Sequence, residues 1–235
     1  MSALRFLTEL NTDAQWPTNN KTIERYAKAP VTTDSSLYLA TKRCIDVLAS
    51  GILLILLTPG MLIVAICIKL ESKGPVFFFQ ERCGLHGKSF RFFKFRSMVG
   101  DAEARKTTIA DQSDIKSIRF KMALDPRTTR IGAFIRKYSI DELPQLINVL
   151  LGDMSLVGPR PPLPSEVAEY TPYQHRRLTV IPGITCTWQI GGRADIPFEQ
   201  QADMDIMYIR TRSLWQDIRI LIQTPLAVIT AKGAY

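Results

Sequence analysis

The sequence predicts a mainly helical domain with one β-hairpin, held to a membrane by an apolar segment broken near its middle. Three observations predict it. The 22 residues from Val47 to Ile68 carry no charge. Two aromatic runs flank "CGLHGK", whose Gly84 and Gly87 mark a turn. Farther on, Ile131, Phe134 and Ile135, then Leu143, Leu146, Ile147 and Leu150, recur at helical spacing.

In chain order, residues 1–40 are a polar extension rich in Thr, Asn and Ser, with room for one short helix and no nameable chemistry. Residues 41–73 form the anchor. Its apolar run is long enough to cross the ~30 Å hydrocarbon core as a helix, and a buried core helix of that length would show a polar face. Two details weigh a re-entrant hairpin against a simple span. Pro59, within Thr58-Pro59-Gly60, removes a backbone hydrogen bond at the midpoint. Lys42 and Arg43 precede the run and Lys69 and Lys73 follow it, and cationic flanks keep to the cytoplasmic side. A hairpin dipping into one leaflet satisfies both details, while a kinked spanning helix also tolerates a central proline. Asp46, at the mouth of the run, is expected to pair with Lys42 or Arg43 so that no lone charge enters the interface.

Residues 74–235 make the remaining domain. Its hairpin, Gly74 to Met98, has Phe77, Phe78, Phe79, Phe90, Phe92, Phe93 and Phe95 as apolar members, with Arg91, Lys94 and Arg96 interrupting the second arm. Arg91 reads as part of a solvated strand face. Residues 100–123 are mixed and charged, consistent with a surface helix and a loop. Two amphipathic helices then meet through Tyr138 and Ser139.

The stretch "SIDELPQ", residues 139–145, has two readings. In one, Ser139 and Glu142 form a capping box that starts a helix, with Pro144 in its first turn. In the other, Asp141 is a reactive carboxylate kept ionised among the cations Arg136 and Lys137, where phosphate binds. Gly152 is a plausible helix C-cap. Arg160, between Pro159 and Pro161, has its fork ordered in advance for a phosphate. An amphipathic helix ends near Ser213. The next, through Ile229, has an apolar face suited to a membrane surface, and its Gln216, Asp217, Arg219 and Gln223 argue against a second span.

Thirty Lys and Arg against 22 Asp and Glu give a net charge of +8, which suggests an anionic partner: nucleic acid, lipid headgroups or a phosphorylated substrate. The aromatic, basic hairpin could stack bases. However, its spacing is poor for an RNA-recognition strand, and the adjacent apolar run favours a phosphate-facing interfacial role over nucleic acid. Cysteines at 44, 67, 83 and 186 and histidines at 86 and 175 are scattered, which argues against a zinc site and against a disulfide framework. The expected compartment is reducing, so the domain should face the cytoplasm.

Taken together, "KRCIDV", the Pro-broken run, "FFFQERCG", "FKFRSM", "RIGAFIRKYSIDELPQLINVLLGDMSLVGPRP", "PGITCTWQIGGR" and "KGAY" resemble the bacterial sugar transferases, monotopic phosphoglycosyl transferases that start exopolysaccharide, capsule and O-antigen assembly. The resemblance runs from about Lys42 to Tyr235. One departure is Cys186-Thr187, where many such proteins have Gly-Leu. The resemblance implies a compact α/β-containing catalytic domain on a re-entrant helix hairpin, at the cytoplasmic face of the bacterial inner membrane. It implies transfer of a sugar-1-phosphate from a UDP-sugar, a hexose, to undecaprenyl phosphate, with release of UMP. Asp141 would be the nucleophile and Glu142 its partner, with Lys94, Arg96, Arg136 and Arg160 handling phosphate. Mg²⁺ would be required, with Asp141 and Glu142 its candidate ligands. A homo-oligomer is compatible with this reading. The rival class is a membrane-anchored anion-binding or scaffold protein without turnover.

Overall fold

The computed structural model describes residues 35–100, 126–231 and 233. Most of the N-terminal extension and the charged segment from residue 101 through 125 lie outside the described residues. Helix α1 runs from Ser36 to Glu71, with the Ser35 hydroxyl accepting from Leu37 N–H at its start. Strands β1 (Phe77–Cys83) and β2 (Ser89–Phe95) pair antiparallel, Phe77 opposite Phe95 and Cys83 opposite Ser89. The expected hairpin is therefore present, closed by a 3₁₀ turn at Leu85–Gly87.

Helix α2 (Arg130–Lys137), a 3₁₀ turn (Ile140–Glu142) and helix α3 (Gln145–Leu151) follow. Strand β3 (Ser155–Val157) lies parallel to β4 (Gly183–Thr185), with α4 (Pro164–Ala168) between them. Helices α5 (Thr187–Gly191), α6 (Phe198–Thr211) and α7 (Leu214–Thr230) complete the chain. The domain is mainly helical, as expected, and the short parallel pair is an addition to the sequence reading.

In place of two arms joined at Thr58-Pro59-Gly60, α1 is one helix with Pro59 inside it. Packing accounts for this. Ala49, Leu54 and Leu57 rest on a core of Phe92, Leu146, Val149, Leu156 and Ile209. Past the proline, Met61, Val64, Ala65 and Ile68 continue the same helical phase onto Phe95 and Ile135. Two to three turns of apolar contact on each side outweigh the single hydrogen bond that Pro59 removes. The opposite face stays bare: Leu48, Ile52, Ile55, Leu62, Ile66 and Leu70 are exposed. By length and composition α1 is the one helix among the described residues suited to crossing a membrane.

The charges at the start of α1 have other partners than expected. Asp46 is buried and its Oδ1 accepts from Leu156 N–H at 2.9 Å. Arg43 donates to the Val149 and Leu150 carbonyls at the end of α3. Lys42 reaches Asp217 on α7 at 2.9 Å, and Tyr208 donates to that carboxylate at 2.6 Å. Each charge bonds a group far along the chain, and the Asp46–Leu156 bond is fully buried, so the segment is stitched to the domain.

Candidate active site

The site is built where β2, the turn before α3 and the loop after β3 converge. Lys94 follows Phe92 on the same face of β2, and Phe92 is buried against Leu146 and Val149 of α3. That register is fixed by Asn148. Its buried side chain accepts from Phe93 N–H at 3.1 Å and donates to the Arg91 carbonyl at 2.7 Å. Lys94 Nζ therefore stands over the turn, 3.3 Å from Asp141 Oδ2 and 2.9 Å from Glu142 Oε1.

Arg160 meets the same Glu142 oxygen at 3.1 Å. Its two flanking prolines are fully buried, so its loop is ordered before any ligand arrives, as the sequence implied.

The capping box expected at Ser139–Glu142 does not form. Ser139 is left-handed, with φ 54°, and makes no side-chain cap. Glu142 spends its carboxylate on Lys94 and Arg160 instead, because two charge-assisted bonds outweigh one bond to a backbone N–H. The α-helix begins later, at Gln145.

The two carboxyls are electrostatically unlike. Burial pushes Asp141 up, Lys94 opposes it and the Glu142 charge adds to the rise. Burial acts on Glu142 too, but Lys94 and Arg160 outweigh it and hold that carboxyl well below its ordinary range. Asp141 is thus the more basic member of the pair, and among the described residues its Oδ1 has no hydrogen bond.

Both carboxyls line a cavity of about 470 Å³. Lys94, Arg136, Arg160 and Arg193 share its charged end. Apolar walls come from Leu53 and Leu57 of α1 and Leu221, Pro225 and Val228 of α7, with Ser139, Thr185, Gln189 and Thr224 as the uncharged polar members. Arg136 lines it while donating to Thr128 Oγ1 at 3.2 Å.

Arg96 is not among the lining residues. It is buried and donates to the Ser72 and Lys73 carbonyls, closing the C-terminal end of α1. The resemblance implied a phosphate-handling role for it, but β2 ends at Phe95 and the chain has already turned away.

Sequence reasoning passed over Arg193 and Gln189, which both face the cavity. Arg193 closes a quoted motif, and the glycine pair before it was the available signal. Cys186 is buried and its thiol donates to Gln189 Oε1 at 3.0 Å. The one departure from the expected motif therefore orients a cavity-lining amide. Among the described residues no three His, Cys, Asp or Glu side chains cluster as a metal site.

The sequence pattern of the bacterial sugar transferases matches residues 37–231. The galactosyl transferase CpsE of Streptococcus agalactiae is 44% identical over 199 residues, 84% of this chain and 44% of that protein. The undecaprenyl-phosphate galactose phosphotransferase of Salmonella typhimurium is 37% identical over 237 residues, covering 99% of this chain and 49% of its own length. The undecaprenyl-phosphate glucose phosphotransferase of Komagataeibacter xylinus is 42% identical over 208 residues, 83% of this chain and 37% of that protein. This chain spans less than half the length of each of these three relatives.

Proposed function

This chain belongs to the bacterial sugar transferase family, and from that premise we propose that it transfers a sugar-1-phosphate from a UDP-sugar to undecaprenyl phosphate, releasing UMP. The observation that carries this reading is the pair Asp141 and Glu142, set among Lys94, Arg136, Arg160 and Arg193 in a cavity whose other walls are mainly apolar. One end suits a diphosphate and the other a lipid. The relatives' names specify galactose twice and glucose once, so a hexose is the donor class proposed.

Asp141 is the nucleophile. Its carboxylate oxygen attacks the β-phosphorus, the bond from that phosphorus to the bridging oxygen breaks, and UMP leaves with the electron pair. An oxygen of undecaprenyl phosphate then attacks the same phosphorus. The Asp141–phosphorus bond breaks, the carboxylate is restored, and the product is a sugar diphospho-lipid. Glu142 holds Lys94 and Arg160 in place, and these cations with Arg136 offset the phosphoryl charge. Exchange through a covalent intermediate lets a soluble donor and a lipid acceptor visit one site in turn.

The donor set fits Mg²⁺ shared with substrate, since this ion needs one or two carboxylates and otherwise keeps waters and phosphate oxygens. The open Oδ1 of Asp141 and the Glu142 carboxylate would hold it. When bound, it would neutralise diphosphate charge.

The chain lies on the cytoplasmic face of the inner membrane without crossing it. Supporting this, the body of the protein covers one face of α1 on both sides of Pro59, so a perpendicular helix would draw Asp141 and its cations into hydrocarbon. The exposed stripe of Trp215, Ile218, Ile222, Leu226 and Ile229 on α7 adds a second surface for the same leaflet.

The test is UMP release by the detergent-solubilised protein with Mg²⁺, undecaprenyl phosphate and a panel of UDP-hexoses. Release is expected with at least one donor and is lost in Asp141→Asn. Mass spectrometry should find a phospho-sugar adduct on Asp141 when the acceptor is withheld. Turnover that survives Asp141→Asn rules out the covalent route.

A further inference from the structure

Three of the four cations around the cavity are engaged. Lys94 and Arg160 are bonded to the carboxylates and Arg136 to Thr128. Arg193 differs: among the described residues its guanidinium has no hydrogen-bond partner, although the residue lines the cavity and is half-buried. It also comes from a separate part of the chain, the turn after α5.

The backbone at Arg193 is held in an uncommon state. Its φ is 54°, in the left-handed region that residues with a Cβ avoid. Such a conformation persists where neighbours impose it, and it concentrates at functional sites. Two contacts impose it here. Gln201 Nε2 donates to the Ile196 carbonyl at 2.6 Å and lies 3.4 Å from the Arg193 carbonyl. On the other side, Ala194 N–H donates to the Gly233 carbonyl at 3.2 Å. Gly233 is itself left-handed, and a Cβ there would come within 2.2 Å of the Gly192 carbonyl oxygen. Only glycine lets the chain after α7 lie this close.

We propose that Arg193 binds the phosphate of the departing nucleotide, and that Gly233 is a positioning residue that straps the Arg193 turn in place. This rests on the reading of the donor as a UDP-sugar. The remaining cations surround the carboxylates and serve the phosphorus under attack. In an in-line displacement charge also develops on the leaving oxygen, and a cation that feels the Glu142 charge without being bonded to it is suited to meet it. UMP carries that phosphate after the first step, whereas uridine lacks it.

The experiment is calorimetric titration of UMP and of uridine into the full-length protein in detergent. Wild type is expected to bind UMP more tightly than uridine. Arg193→Gln should weaken UMP by about 10- to 100-fold, the loss of a charge-assisted bond, and leave uridine unchanged. Gly233→Ala, whose added methyl would press on the Gly192 carbonyl beside the cavity that Gly233 also lines, should reduce the UMP preference in the same direction, and Arg193→Lys should restore part of what Arg193→Gln loses. A UMP preference that is intact in Arg193→Gln overturns the assignment while sparing the transferase reading. One that is intact in Gly233→Ala alone overturns the strap. Wild-type protein that binds neither UMP nor any UDP-hexose overturns both the assignment and the reading beneath it.

Discussion

The side chain of Asn148 acts as a strand partner for Phe93, accepting its backbone N–H at 3.1 Å while donating to the next available carbonyl, that of Arg91. A helix residue thus occupies the free edge of β2, and Lys94 is carried on the strand it secures.

Asn148→Leu leaves both backbone groups without a partner inside the protein. It should lower stability by about 2–5 kcal/mol, the cost of two unsatisfied groups. Because Lys94 loses its register, turnover should fall as well. Thermal unfolding in detergent and UMP release measure the two effects.

Asp141 and Glu142 should have opposite effects on stability in the metal-free protein. Asp141 is raised by burial, so its ionised form is a burden that is relieved as pH falls through its folded pKa. Asp141→Asn should raise the unfolding temperature at pH 7, with the gain shrinking at acid pH. Glu142 is depressed, so its contribution is present above its unfolded pKa, about 4.3, and is lost as pH falls toward its folded value. Glu142→Gln should therefore destabilise at pH 7, by about 3 kcal/mol as for one member of a buried pair. Unfolding scans in EDTA from about pH 2 to 8, wild type against each variant, decide both signs.

Arg160→Lys keeps the charge and loses the fork. Between two buried prolines the shorter ammonium cannot also shift to compensate, so kcat/KM should drop roughly 10- to 100-fold with little change in folding. Wild-type kinetics in this variant would remove Arg160 from the phosphate machinery.

Asp217 gathers Lys42, Tyr38 and Tyr208, at 2.9, 3.1 and 2.6 Å. Removing it strands the Lys42 cation and deprives two hydroxyls of their acceptor, although Tyr208 keeps the Val157 carbonyl, so Asp217→Ala should cost about 3–5 kcal/mol. Lys42→Ala should cost less, and the double variant should cost less than the sum of the singles. Strict additivity would mean that Lys42 and Asp217 are not coupled.

The hairpin was legible in the sequence because Gly84 and Gly87 punctuate two aromatic runs, a signal local to the chain. So were the helices bearing Ile135 and Leu146, and the ordered loop at Arg160. The parallel pair Ser155–Val157 and Gly183–Thr185 was not, since three residues are too few to show a period. The capping box at Ser139 failed for a different reason. Its chemistry was locally sound, but Lys94 stands 48 residues away from Glu142 along the chain, and local spacing does not reveal such a competitor. Arg96 and Lys94 look equivalent in "FKFRSM", and only the end of β2 separates a helix cap from a cavity residue. At Asp46 the expected ion pair gave way to the Leu156 N–H, another partner distant in sequence.

The placement of Leu53 and Leu57 has a consequence for how the protein can be taken apart. These residues belong to the apolar helix yet form part of the cavity wall, and Ile68 of the same helix is sealed in the core. Anchor and catalyst are therefore not severable modules. A version trimmed of α1 to make it water-soluble would have a breached cavity and an exposed core. Substitution on the bare outer face, at Leu48, Ile55 or Ile66, is the route that leaves the working parts whole.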